Sequence, residues 1–300
     1  MFITLSDRFA MGNPGGPVLR IPGMAFCRED YARSAAPVRT DDLDFAAFGT
    51  RPLSAAGLRC IRYMCDVENH TVCYLRDLLV TPSHTDPEVT AFLTMWNDEE
   101  YWHGEALAGV LAAHGAGRGD DHIREVRRAQ GWRDRVAPIK QALLAQAIGE
   151  DFVAVHMTWG AINEWCTHAG YARLIERERH PVLTELLERI MRQETRHVAF
   201  YVSQARARLA ASGRARRLTR FALRRFWQPV GSGVMPPEET RHLLAYLLAG
   251  QGGERTAASI DARLDRLPGL KGLGLIRRAT AGLTDAAGSP TRLVVDADAA

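Results

Sequence analysis

Apolar side chains recur at every third or fourth position along four long segments of the chain, which is the period of an amphipathic helix. The segments run from about Ser54 to Leu79, from about Asp86 to His114, from about Ala137 to Glu178, and from near Pro181 to near Ser212. No convincing strand pattern interrupts them, and a shorter helix at about His122 to Gln130 occupies the connection between the second and third segments. The pattern therefore predicts an all-α fold of four long helices, with a long crossover between the second and the third.

The distribution of glycine and proline indicates where the parts of the chain begin and end. Residues 1–50 are rich in both, which predicts an N-terminal arm mostly without regular structure. Residues 51–212 contain the four long helices. In residues 213–300 an arginine-rich segment precedes two or three shorter helices, and the last ten residues have the composition of a frayed terminus. We therefore predict three parts: an arm, a four-helix unit and a C-terminal helical extension.

A glutamate interrupts each apolar stripe at a similar depth. The stripe of the first helix, for example, contains Ile61, Met64, Glu68, Val72, Leu75 and Leu79. A glutamate on the buried face of a helix costs free energy unless a partner compensates its charge. Here the four glutamates are Glu68, Glu100, Glu164 and Glu194, and a histidine follows the second and the fourth by three residues, at His103 and His197. A spacing of three places each histidine on the same helix face as its glutamate.

This set of residue types predicts a two-metal site. One glutamate from each of two helices and Glu-x-x-His from each of the other two form the ligand set of di-iron and di-manganese helical bundles. Four carboxylates would also balance the charge of two divalent cations, and carboxylate and imidazole ligands suit iron or manganese. The order of the residues indicates an internal duplication, because Glu68 and Glu100 are 32 residues apart and Glu164 and Glu194 are 30 residues apart.

A third Glu-x-x-His has a simpler interpretation. Glu239 and His242 follow Pro236 and Pro237, which places them in the first turn of a short helix. Acidic side chains there interact favourably with the helix dipole and need no metal. We therefore do not assign this copy to the metal site.

Composition narrows the class of protein further. Lys and Arg number 38 against 35 Asp and Glu, for a net charge of +3, and 46% of the residues are hydrophobic. These values exclude a nucleic-acid-binding polycation and a disordered chain. The five cysteines are odd in number and form no Cys-x-x-Cys, so we expect buried thiols in a reducing cytoplasm. The N-terminus does not resemble a signal peptide, and no apolar run is long enough to span a membrane.

Several motifs resemble those of the soluble acyl-carrier-protein desaturases, a family of the ferritin-like di-iron carboxylate superfamily. The resemblance covers about residues 55–212. The motifs are Trp96, Glu99-Glu100-x-x-His103-Gly104-Glu105, Glu164-x-x-Thr167, Ala172-Arg173-Leu174 and Glu194-x-Arg196-His197. The chain departs from the family at Gln193, where the family has Asp, and at Tyr101 and Trp102, which replace a polar and basic pair. Residues 213–300 match no part of the family.

The resemblance implies a ferritin-like four-helix bundle with additional C-terminal helices and a di-iron centre that activates O2 to abstract hydrogen from an acyl chain. By this analogy the iron ligands are Glu68, Glu100, His103, Glu164, Glu194 and His197, with Glu100 and Glu194 bridging. Thr167 would be a catalytic residue that assists proton delivery near bound oxygen. Its alternative role is a hydroxyl bonded back to the carbonyl one turn earlier. The implied partners are an acyl carrier protein and a ferredoxin-like electron donor, and a homodimer is a candidate assembly.

Other functions are compatible with the same ligands. A di-iron hydroxylase or N-oxygenase acting on a small molecule is the main alternative, although Ile190 stands where the arylamine-oxygenase type has an additional histidine. A ferroxidase or iron-storage protein is a further alternative, but such chains usually have about half this length.

An arginine-rich segment follows the fourth helix. Its members are Arg206, Arg208, Arg214, Arg216, Arg217, Arg220, Arg224 and Arg225, interleaved with Phe221, Phe226 and Trp227 and with no acidic residue among them. The segment predicts a docking surface for an acidic carrier protein or a phosphate-bearing substrate. Attachment to a membrane surface and a simple solvated helix face are the alternatives.

Overall fold

The computed structural model describes residues 27–117 and 120–283, and every regular element in these ranges is helical. The prediction of an all-α fold is therefore confirmed for this part of the chain. The helices are α1 (Arg28–Ser34), α2 (Ala47–Thr50), α3 (Ala55–Leu78), α4 (Pro87–Ala113), α5 (Asp120–Ile148), α6 (Asp151–Glu178), α7 (Pro181–Ala211), α8 (Gly213–Phe226), α9 (Pro237–Leu248), α10 (Gly250–Leu264) and α11 (Leu275–Thr280), with a 3-10 turn at Pro82–Thr85 between α3 and α4. Residues 1–26 of the predicted arm and the predicted frayed end lie outside the described residues.

Local capping explains where three of the long helices begin. The Ser54 side chain accepts a hydrogen bond from the Gly57 amide at the start of α3, and Asp86 accepts two from the first turn of α4. Pro87 and Pro181 occupy the first positions of α4 and α7, where a missing N–H costs nothing. The observed starts of these three helices agree with the sequence-based boundaries to within one residue.

The predicted third helix is wrong at its N-terminal end. We expected it to start near Ala137, but α6 starts at Asp151 because Gly149 adopts a left-handed conformation with φ of 74°. The residues before Gly149 belong to α5, which fills the crossover and is kinked at Gly131 (φ 60°, ψ −144°). The predicted short helix is therefore the first half of a longer, bent one.

The four long helices enclose one interior. α3 packs along α4, α6 packs along α7, and the two pairs meet where α4 contacts α7 and α3 contacts α6. Gly160 allows α6 to approach α7 closely, since a Cβ at this position would overlap the ring of Tyr201. Two predicted stripe residues of the first helix, Val72 and Leu79, are instead exposed, and Leu79 lies just beyond the end of α3.

Apolar clusters fill the interior on both sides of the polar residues. One cluster includes Phe92, Met157 and Phe200, and the other includes Ile61, Leu107 and Leu187. The four glutamates lie between the two clusters along the helix axes, at the common depth that the stripes predict. The polar residues therefore have apolar packing on both sides along the helix axes.

The remaining helices cover the outside of the four. α1 packs on α4, α8 lies along α6, and α9 contacts α3 and α6. α10 packs against α6, α9 and α11. None of the described helices is long and apolar enough to cross a membrane.

Candidate metal centre

The four glutamates and two histidines predicted from the sequence converge in the middle of the four long helices. They form two groups: Glu68, Glu100, His103 and Glu194 in the first, and Glu100, Glu164, Glu194 and His197 in the second. Within a group, the candidate ligand atoms all lie within 4.8 Å of one another, and all six residues are buried. The cluster could therefore hold metal ions at two positions, with Glu100 and Glu194 shared between them.

Both histidines direct Nδ1 into the cluster. His197 Nδ1 lies 3.0 Å from Glu194 Oε2 and 3.2 Å from Glu100 Oε1. His103 Nδ1 lies 3.2 Å from Glu194 Oε1 and 3.6 Å from Glu100 Oε2. The Nε2 atoms face away from the cluster and bond to residues behind the imidazole rings.

The residues behind the rings are related in a reciprocal way. His197 Nε2 lies 2.8 Å from Glu99 Oε2, and His103 Nε2 lies 2.8 Å from Gln193 Oε1. Glu99 and Gln193 each precede the glutamate of one Glu-x-x-His motif and contact the histidine of the other. Such acceptors fix the ring orientation of a metal-binding histidine. Gln193, which replaces the Asp of the resembled family, therefore still supplies an acceptor oxygen, although an uncharged one.

Glu99 was not assigned a role from the sequence. It is fully buried, accepts a 2.7 Å hydrogen bond from the Tyr31 hydroxyl and is paired with Arg196. Burial acts to raise the pKa of Glu99, but the contacts with His197, Tyr31 and Arg196 outweigh burial and lower it. The sequence did contain an indication of this role. Glu99 lies three residues after Trp96, so it is a second acidic residue on the apolar stripe of α4.

The two unshared glutamates also have fixed orientations. The Tyr171 hydroxyl donates a 2.5 Å hydrogen bond to Glu68 Oε1, and the indole N–H of Trp96 donates a 3.0 Å hydrogen bond to Glu164 Oε1. Each carboxylate is held by a buried aromatic donor through one oxygen.

Burial and mutual repulsion determine the protonation of the cluster. Burial raises the pKa of Glu68 and Glu164 well above the usual value, and the charges of Glu100 and Glu194 add to this. Burial also acts to raise the pKa of Glu100, but contacts with Glu68 and the imidazoles bring it to about 2. Burial would lower the pKa of His103, yet its contacts with Glu100 and Glu194 raise it to about 10. In the absence of metal these shifts favour protonated Glu68, Glu164 and His103 and an ionised Glu100.

The donor atoms suit divalent cations. His103 Nδ1 and Glu194 Oε1 are buried and 3.2 Å apart, but they make no well-directed hydrogen bond. A cation between them would satisfy both atoms. Carboxylate oxygens and imidazole nitrogens are ligands that iron and manganese accept, and two divalent charges match four ionised carboxylates. The residues present therefore fit a pair of such ions.

Two cavities meet beside the cluster. The first has a volume of about 80 Å³, is lined almost entirely by apolar side chains, and reaches Glu68 and Thr167. The second has a volume of about 150 Å³ and lies against Glu68, Glu100, Glu164 and Thr167. Thr167, the catalytic candidate, therefore lies on the wall that the two cavities share, three residues after Glu164.

The third Glu-x-x-His lies elsewhere and has structural partners. Glu239 accepts hydrogen bonds of 2.7 and 2.8 Å from the Arg59 guanidinium, and His242 Nε2 lies 3.2 Å from the Ala56 carbonyl oxygen. These contacts attach the first turns of α9 to the start of α3.

Comparisons of the chain with protein-family models, with curated proteins and with solved structures give no match.

Proposed function

We propose that the protein is an O2-activating non-haem di-iron oxidoreductase with a ferritin-like bundle, and that its first candidate reaction is the desaturation of an acyl chain. The observation that carries the proposal is the pair of ligand groups that share Glu100 and Glu194 beside an apolar cavity. Iron bound by these residues would supply the redox chemistry for reducing O2 with electrons from a ferredoxin-like donor. Manganese is the alternative metal for the same ligands.

The protein's own residues would bind and orient the ions. Glu68 and Glu164 each serve one position, and the hydrogen bonds from Tyr171 and Trp96 leave the second oxygen of each carboxylate for the cation. The imidazoles are oriented from behind by Glu99 and Gln193. This arrangement fixes the ligands before metal binds, which reduces the reorganisation that binding requires.

The cavities would separate the substrate from water and from protons. Leu243, Leu247 and Ile260 of the C-terminal helices form part of the apolar wall opposite Glu68. An apolar carbon chain in this cavity would lie against apolar side chains beside Glu68. The Thr167 hydroxyl, on the shared wall, is the group we propose to hold a proton between the two cavities.

A second candidate reaction is hydroxylation or N-oxygenation of a small molecule. The observation that favours it is the second cavity, whose wall includes the polar groups of Asn163, Trp96 and Tyr201 beside Glu164. A compact substrate with a polar group fits that wall better than a hydrocarbon chain does.

Iron content tests the metal centre. The purified protein, reduced and loaded with Fe(II), is expected to bind about two irons per chain, as the bundle ligand set implies. Glu100→Ala removes a shared ligand and should abolish stoichiometric binding. Glu239→Ala is the matched control, because it removes the glutamate of the Glu-x-x-His that packs α9 on α3. Unchanged iron content in Glu100→Ala, with normal helix content by circular dichroism, would refute the centre.

The reaction is tested separately by product analysis. The reduced, iron-loaded protein is mixed with O2 and either an acyl-carrier-protein-linked fatty acid or a panel of small aromatic amines and alcohols. A double bond in the acyl chain supports desaturation, and an added oxygen in a small molecule supports the second candidate. Uptake of iron far beyond two per chain, without substrate oxidation, would instead assign the protein to iron storage.

A further inference from the structure

The structure accounts for only part of the arginine-rich segment. Arg208 pairs with Asp86, and Arg214 pairs with Asp151. Arg216 and Arg220 donate to backbone carbonyls, those of Leu209 and Ala210 and of Gly269 and Lys271 respectively. These four arginines bond to other groups of the protein and are not free for a partner.

The rest of α8 forms a surface that we call the basic face: Arg217, Arg224, Arg225, Phe221 and Phe226. Within the described ranges, no acidic side chain pairs with these three arginines. Phe221 and Phe226 are 61% and 56% exposed, and their ring centroids are 6.0 Å apart. The opposite side of α8 is buried through Ala215, Thr219 and Leu223, so the phenylalanines are not needed to pack the helix.

A second exposed surface begins close to the first. Residues 136–148 of α5, which we call the apolar segment, contain a single charged residue, Lys140. Its exposed apolar side chains are Ile139 (60%), Leu143 (70%) and Leu144 (57%). The segment ends three residues before Asp151, which pairs with Arg214 at the start of α8. The end of the apolar segment and the start of α8 are therefore brought close together by this ion pair.

We propose that the basic face and the apolar segment together dock the protein on an anionic lipid bilayer surface. Acidic lipid headgroups supply counter-charge for the arginines. The boundary between the headgroups and the acyl chains accepts phenylalanine and leucine side chains. An acidic protein would neutralise the arginines but leave the uncharged apolar segment without a complement. A second copy of the chain related by a two-fold axis would bring the same arginines together. The combined chemistry therefore favours lipid.

The docking surface continues into the protein toward the apolar cavity. Phe226 ends α8, and the residues that follow it, Trp227, Pro229 and Val230, line the cavity that reaches Glu68. Docking would place this wall near the lipid boundary. The inference goes beyond the proposed oxidation and does not depend on it, because neither surface contains a metal ligand.

Vesicle binding of the full chain tests the proposal. The protein is sedimented with vesicles of phosphatidylcholine alone and with vesicles that also contain phosphatidylglycerol. We expect binding to the anionic vesicles that weakens as salt is added, and little binding to the neutral ones. Arg217→Gln/Arg224→Gln/Arg225→Gln should lower the partition coefficient roughly a hundredfold, at about fivefold per arginine. Phe221→Ser/Phe226→Ser should lower it by at least about tenfold.

Arg128→Gln/Arg192→Gln/Arg255→Gln is the matched control. It changes the net charge equally at exposed arginines outside both surfaces and should keep vesicle binding close to that of the unaltered protein. Equal losses in the two triple variants would overturn the proposal, as would failure of the unaltered protein to bind anionic vesicles.

Two further outcomes would also overturn the proposal. Binding of a purified acidic acyl carrier protein through the basic face, without vesicle binding, would assign the surface to a protein partner. A dimer that dissociates on Leu143→Ser would assign the apolar segment to a second copy. Iron content and helix content, measured on every variant, separate failure of docking from failure of the metal centre.

Discussion

Binding of two divalent cations to the metal-free protein should release about four protons near neutral pH. The number follows from the cluster's charge balance. The pKa values of Glu68, Glu164 and His197 are raised, and that of His103 is raised to about 10, so each of the four groups favours its protonated form. All four groups must lose a proton to act as ligands. Two cations thus replace four protons, and the buried cluster has the same net charge before and after binding.

The sign of the pH dependence follows from the same groups. Each raised pKa means that the metal-free folded protein holds its proton at a higher pH than an isolated side chain would. Metal must displace these protons, so its apparent affinity increases as the pH rises toward the raised pKa values and falls as the pH is lowered. Glu100, whose pKa is about 2, is already ionised across this range and contributes no proton.

Calorimetry measures the proton count directly. Mn²⁺, which stays divalent in air, is titrated into the metal-free protein in two buffers that differ in their enthalpy of protonation. The difference between the observed heats gives the protons released per ion. Release of about two protons or fewer in total would refute the reasoning, because at least two of the four groups would then already be in their metal-binding forms. Glu239→Ala should release the same number as the unaltered protein.

Three other substitutions test the support of the cluster. Glu99→Gln keeps an acceptor but removes its charge, so Fe(II) affinity, measured by competition with a chelator, should fall about 10- to 100-fold. Tyr31→Phe removes one hydrogen bond to the buried Glu99 carboxylate and should lower the free energy of unfolding by about 1.5 to 3 kcal/mol, measured by urea denaturation. Gly160→Ala should lower the stability by about 1 to 3 kcal/mol, because its methyl group would overlap the buried ring of Tyr201. Gly49→Ala, with no neighbouring atoms within 4 Å of the added methyl group, is the control and should not lower the melting temperature.

Helical spacing in the sequence predicted the six residues that converge in the cluster. Each of the six ligand candidates lies on an apolar stripe, and helices of similar length bring Glu68 and Glu164 to the depth of the two Glu-x-x-His motifs. The spacing of residues along the sequence indicates which of them share a face of one helix. The start of α6 was predicted wrongly because apolar residues continue through Gly149, and periodicity does not register a glycine that reverses its backbone conformation.

Contacts between distant segments could not be predicted in the same way. Tyr31 comes from α1, in a part of the chain that we expected to be mostly irregular, and it reaches Glu99 across 68 residues. The apolar cavity is likewise assembled from α3, α6 and the C-terminal helices, which match no part of the resembled family. Neither feature has a local pattern, because each depends on how separate helices come together.

The two histidines of the proposed centre have different hydrogen-bond partners at Nε2, so the two metal positions would not be equivalent. A carboxylate behind His197 makes that imidazole the stronger electron donor, whereas the neutral amide behind His103 does not. A cation beside His197 would therefore be held more tightly and would have the lower reduction potential. Loading and oxidation would then follow a set order, in which the position next to Glu164 comes first. The difference between Glu99 and Gln193 would then give a centre built from two similar motifs a leading and a trailing ion.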